Sequence, residues 1–157
     1  TDANTGQNKD YGFDKTDRNA YRYWYKDHVR FNDLDALGHV NNVKFNEYFA
    51  GVRTKLFFEA IDDWPHAPIV PLVRVSTLDY LKEIFFPADL DVGLRIVRFG
   101  NTSFTVALGL FVGDECKATN DIVFVFLNKA TRQKAPIPEN IKENFIKITK
   151  MDVTDHA

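Results

Sequence analysis

Two carboxylates, an imidazole and two amide side chains crowd into one short stretch of this chain: Asp33, Asp35, His39, Asn41 and Asn42, with Gly38 among them. Gly38 permits a tight turn. An apolar helical pattern begins directly afterwards, so the stretch leads into a helix N-terminus. Such an end exposes unpaired backbone N–H groups and the positive pole of the helix dipole. It can hold a developing oxyanion, while a carboxylate a few residues earlier acts as general base or nucleophile. Acid or base, imidazole and oxyanion donors together suit attack on an activated carbonyl. The competing reading is structural. Asp35, Asn41 or Asn42 then merely caps the helix, as Asp and Asn commonly do, and His39 only hydrogen-bonds Asp35. Asp33 shares a strand face with Asp35 only if the preceding strand runs that far, which makes Asp35 the stronger chemical candidate.

The elements that must position these groups follow from hydrophobic period. His28 to Asn32 reads as a strand and Asn32 to His39 as a turn. From Val40 to Ile61 the period is helical: Phe45, Phe49, Val52, Leu56 and Ala60 form one stripe, broadened by Tyr48, Phe57 and Ile61. Two prolines, Pro65 and Pro68, then forbid continuation. Ile69 to Leu127 reads as a run of strands, with turns at Gly100-Asn101 and Gly113-Asp114. The stretch from Ile122 is nearly all apolar, which implies burial on both faces. Pro138 starts a short helix through Ile146. One long apolar helix before a run of hairpins predicts a helix wrapped by a single curved antiparallel sheet. Residues 1–20 are polar and read as a flexible arm, followed by the aromatic cluster Tyr21, Tyr23, Trp24 and Tyr25. Residues 149–157 read as a polar tail.

Composition narrows the function classes. The 157 residues suffice for one domain. A formal charge of −2 excludes a broadly basic nucleic-acid binder. No apolar run spans a bilayer, and no secretory signal pattern is visible. The single cysteine, Cys116, excludes an internal disulfide and a thiolate zinc cluster, so a reducing cytoplasm is the expected setting. Cys116 opens a strand and reads as packing. The four histidines show no i, i+4 pair, and no Gly-x-Ser-x-Gly is present. No metal site and no serine nucleophile is therefore expected. Lys82, Arg98, Lys129, Arg132 and Lys134 are cations available to phosphate groups.

The stretch Asn32-Asp-Leu-Asp-Ala-Leu-Gly-His-Val-Asn-Asn-Val-Lys-Phe45 resembles the hotdog-fold acyl thioesterases, in particular the 4-hydroxybenzoyl-CoA thioesterase-like group. The family pattern is Asp-x-Asp-x-x-Gly-(His)-Val-Asn-Asn-x-x-Tyr/Phe at the start of the long central helix. The stretch is also similar to the His-Val-Asn-Asn segment of plant acyl-carrier-protein thioesterases. Those carry Asn two residues after the acid, where this chain has Leu37. The element order matches from Tyr25 to Ile146. The resemblance implies an α+β hotdog domain over residues 21–148. It implies that Asp35 is the catalytic carboxylate, that the Asn42 backbone N–H polarises the thioester carbonyl, and that His39 orients the reacting groups. Gly38, Asn41 and Phe45 fall where substrate is contacted. It further implies a homodimer or homotetramer with sites at subunit boundaries, and no cofactor beyond the coenzyme A of the substrate.

The expected activity is hydrolysis of an acyl-CoA to free acid and coenzyme A, with the apolar helix face and the sheet lining an acyl tunnel. Two readings compete: a thioesterase acting on acyl carrier protein, which needs a basic docking rim for an acidic partner, and a non-catalytic acyl-CoA binding module. A hotdog dehydratase would need a different helix-borne acid–base pair. No nucleic-acid partner and no membrane span is expected.

Overall fold

The computed structural model describes residues 11–151. Five strands form one antiparallel sheet: β1 (Tyr23–His28), β2 (Ile69–Tyr80), β3 (Asp89–Phe99), β4 (Ser103–Val112) and β5 (Glu115–Asn128). Their spatial order is β1-β3-β4-β5-β2. Helix α1 (Asn42–Ala60) lies between β1 and β2 in sequence, and α2 (Glu139–Thr149) closes the described chain. The sheet curves round α1 in an α+β hotdog arrangement, as the apolar stripe predicts. Phe45, Phe49, Val52 and Leu56 of that stripe are buried with Leu94 and Ile96 of β3 and Val106 and Leu108 of β4.

Aromatic side chains fill the far end of this core. The Phe57 ring lies 5.2 Å from Phe124, and Phe104 lies 5.1 Å from both Phe124 and Phe145. The offset and tilted geometries are those that aromatic quadrupoles favour.

Several boundaries differ from the sequence reading. The strand expected over His28–Asn32 runs instead over Tyr23–His28, so Tyr23, Trp24 and Tyr25 of the aromatic cluster lie within it and Tyr21 just ahead of it. Alternation sends Tyr23 to the helix-side core and Trp24 to a small cluster on the opposite face. Phe31–Asp33, expected as strand or turn, is a single 3-10 turn. Helix α1 begins at Asn42 rather than Val40, because Val40 pairs with Leu34 in an isolated bridge and donates its N–H to Ile84. Helix α2 runs on to Thr149 and ends at Lys150 in a left-handed cap at φ 57°.

The arm expected over residues 1–20 is described only from residue 11, and that half sits on the outer sheet face. Lys15 makes a buried ion pair with Asp121 at 2.8 Å. The Tyr21 hydroxyl donates to the Lys15 carbonyl at 2.7 Å, and the Arg18 guanidinium bonds Asp91 and lies over Trp24. Gly93 and Gly109, opposite one another on β3 and β4, leave room for the Tyr21 ring, which a Cβ at either position would strike. Of the expected polar tail, residues 152–157 lie outside the described residues.

Candidate active site

The turn between β1 and α1 is held by its own backbone. Asp35 N–H donates to the His39 carbonyl at 2.9 Å, Gly38 N–H to Asp35 at 3.1 Å and Asn41 N–H to Asp33 at 2.9 Å. Gly38 supplies φ +88°, a conformation open to glycine at no steric cost.

The two acids of this turn differ. Asp33 is buried, and its carboxylate accepts the Tyr48 hydroxyl at 2.5 Å and the Arg30 N–H at 3.0 Å. Burial alone would raise its pKa. The Tyr48 and Arg30 bonds, with the charges of Lys44 and Arg30, outweigh burial and hold it below the ordinary value. Asp33 therefore ties the turn to the middle of α1. Asp35 is less engaged: it accepts the Leu37 N–H at 2.9 Å, with His39 Nδ1 3.5 Å away.

Capping falls to Asn41, whose side-chain oxygen accepts the Val43 N–H at 3.1 Å. Lys44 N–H is taken by the Asn41 carbonyl. That leaves the Asn42 N–H in the first turn with no intrahelical acceptor, at the positive end of the helix dipole.

Next to it lies a cavity of about 270 Å³, lined by His39, Val40, Asn42, Phe45, Tyr80, Leu81, Lys82 and Glu83. His39, Asn42 and Phe45 thus meet in one place. Asp35 stands behind His39, and Gly38 and Asn41 shape the turn and the cap. The Phe45 ring packs 5.2 Å from Tyr80.

The other lining residues, Val40, Tyr80, Leu81, Lys82 and Glu83, are not among the site residues that the sequence predicts. Tyr80 and Glu83 come from the end of β2 and the connection after it, and Lys82 was singled out only as a cation for phosphates. Glu83 Oε2 is 3.5 Å from His39 Nε2, so the imidazole stands between two carboxylates. Backbone pairing of His39 with Phe85 brings this connection to the turn. No spacing within the sequence signals it. Lys82 is engaged by Glu115 at 2.7 Å. Cys116 lies on the outer face with Tyr21 and Phe111, and burial pushes its thiol up to about 11, the condition of a packing residue.

Residues 29–145 match the family model described as thioesterase-like superfamily. A thioesterase of Thermus thermophilus, solved with coenzyme A and zinc, superposes with a TM-score of 0.75 at 30% identity, covering 85% of this chain and 98% of that one. The PA5185 protein of Pseudomonas aeruginosa superposes with a TM-score of 0.76 at 27% identity, over 84% of this chain and 94% of that one. A 1,4-dihydroxy-2-naphthoyl-CoA hydrolase of Synechococcus elongatus is 25% identical over 131 residues, 77% of this chain and 93% of the relative.

Proposed function

The chain belongs to the thioesterase-like superfamily, and from that premise we propose that it hydrolyses acyl-CoA thioesters to free acid and coenzyme A. The observation that carries the reading is the Asn42 N–H at the head of a 19-residue helix, without an acceptor among the described residues, beside a cavity that Asn42 and His39 both line, with Asp35 3.5 Å from His39 Nδ1.

The thioester carbonyl oxygen sits at the Asn42 N–H, where N–H and helix dipole stabilise the charge that builds on it. His39 lines the cavity with the Asp35 carboxylate 3.5 Å from its Nδ1, and we assign Asp35 the part of base to an attacking water rather than that of nucleophile. Asp35 takes a proton from the water as its oxygen bonds to the carbonyl carbon. The tetrahedral intermediate collapses, the C–S bond breaks, and the coenzyme A thiolate leaves and is reprotonated from the protonated acid. His39 orients the water and the Asp35 carboxylate. The coenzyme A named with the Thermus thioesterase and the acyl-CoA substrate named for the Synechococcus relative support coenzyme A as the thiol.

The reading is tested with a panel of acyl-CoA esters and release of free thiol as the readout. Turnover of at least one ester, lowered by about a hundredfold or more in Asp35→Asn, is expected. Full turnover by a folded Asp35→Asn would overturn the role given to Asp35, and binding without turnover by the native chain would replace hydrolysis with acyl-CoA sensing.

A further inference from the structure

The Asn42 N–H serves as an oxyanion donor only while the Asn41–Asn42 peptide keeps one orientation. Inside the helix its carbonyl meets the Lys44 N–H at 2.9 Å. Helix ends fray, and a second hold comes from outside the helix. The Asn41 N–H donates to the Asp33 carbonyl at 2.9 Å. The Asp33 carboxylate in turn accepts the Tyr48 hydroxyl at 2.5 Å and the Arg30 N–H at 3.0 Å. Tyr48 stands six residues beyond Asn42 on α1, about 9 Å along the axis. Helical side chains lean back toward the N-terminus, which brings its hydroxyl to Asp33. Helix, tyrosine, aspartate and cap thus close a ring, and the Asn41–Asn42 peptide is one of its links.

Both partners of the closing bond are buried within one chain: Tyr48 is 2% exposed and Asp33 4%. Burial, with the Asp33 carboxylate against it, pushes the Tyr48 phenol above the ordinary tyrosine value, and Asp33 is held below the ordinary carboxylate value. At neutral pH a protonated phenol therefore meets an ionised acceptor in a charge-assisted bond. The bond lies on the β1 side of the helix, where Tyr48 and Asp33 share a cavity of about 420 Å³ with Arg30 and with Asp27 of β1. β1 and β2 are opposite edges of the sheet, so a second copy paired along β2 leaves it untouched.

We propose that Tyr48 is a positioning residue for the reaction: its hydroxyl, through Asp33 and the Asn41 N–H, fixes the direction in which the Asn42 N–H meets the thioester oxygen. The proposal rests on the hydrolase reading above and adds to it the residue that aims the oxyanion donor. Such a donor acts on the charge that develops in the transition state more than on the ground-state carbonyl. Loss of its aim therefore lowers kcat and leaves KM nearly as it was.

The test removes one oxygen. Tyr48→Phe keeps the ring, which packs 6.4 Å from Phe45, whereas Asp33→Asn would still offer the hydroxyl an acceptor. Tyr23→Phe is the matched control, because it deletes the hydroxyl that β1 gives to Glu59 in the last turn of the same helix. Values of kcat and KM are measured on the acyl-CoA panel, octanoyl-CoA and benzoyl-CoA included, and the mobility of the Asn42 N–H by NMR relaxation of its nitrogen. Tyr48→Phe is expected to lower kcat by about tenfold or more with KM little changed. It should also drop the Asn42 order parameter from the rigid-backbone level of about 0.85 toward about 0.6. Tyr23→Phe should do neither. An unchanged kcat, a loss carried by KM alone, an unchanged order parameter or an equal fall in Tyr23→Phe overturns the proposal while leaving hydrolysis standing. A Tyr48→Phe chain that does not fold also overturns it, since the hydroxyl would then serve the fold alone. If the native chain turns over no ester, the hydrolase reading fails, and relaxation alone decides whether Tyr48 holds the amide.

Discussion

At the scale of single residues, two aspartates two positions apart do different work. Asp35 is held by one backbone N–H and faces an imidazole, so Asp35→Asn should lower thioester turnover by about 10²-fold or more, the usual range for a lost general base. Thiol release under saturating substrate checks it. Asp33→Asn should act on stability instead. It weakens the buried bonds to Tyr48 and Arg30, at a cost of about 1 to 3 kcal/mol, visible as a lower urea midpoint. The pH dependence has a definite sign. The Asp33 pKa is lower in the folded state than its ordinary value, so its contribution is complete above about 3.9 and fades as pH falls below that. Midpoints measured down through that window should fall more steeply for the native chain than for Asp33→Asn. The identity of the turn is legible in the sequence because acid, glycine, histidine and cap are contiguous. Glu83 and Tyr80 are not, because they arrive from the β2–β3 side through tertiary pairing some forty residues away.

At the scale of elements, periodicity finds α1 and the strand-rich middle, yet it misplaces β1. The run Tyr23-Trp24-Tyr25 reads as one aromatic cluster, whereas a strand with two apolar faces distributes it between both sides of the sheet. The polar segment ahead of it reads as a mobile arm on composition alone. Composition does not reveal that Lys15 finds Asp121 on the outer face, 106 positions away. That pair makes the segment a structural element. Lys15→Met leaves a buried carboxylate without its cation and should cost about 3 to 5 kcal/mol, read as a drop in unfolding midpoint. The double variant Lys15→Met/Asp121→Leu should recover part of the loss, because a buried ion pair contributes little over an apolar replacement.

At the scale of the whole molecule, the two free sheet edges are unlike. β1 is six residues long and carries Lys26 and Asp27, features that discourage pairing. β2 is twelve residues long and exposes Leu72, Val73 and Val75 at 45–48%. A second copy paired along β2 would cover them and complete the cavity beside Asn42. Sedimentation at micromolar concentration should therefore give a homodimer, and Val73→Asp should shift it toward monomer with loss of turnover; a fully active monomer would contradict this. The same molecule carries its own clock at the site. The amide protons of Asp35, Val40 and Asn41 are committed to His39, Ile84 and Asp33, so in deuterium they should persist until the domain opens as a unit. The Asn42 proton, with no acceptor in its helix, should be lost far earlier than its neighbours. A non-hydrolysable thioether resting its oxygen there would slow that one proton selectively, so a single amide read by exchange reports occupancy of the site without any chemistry taking place.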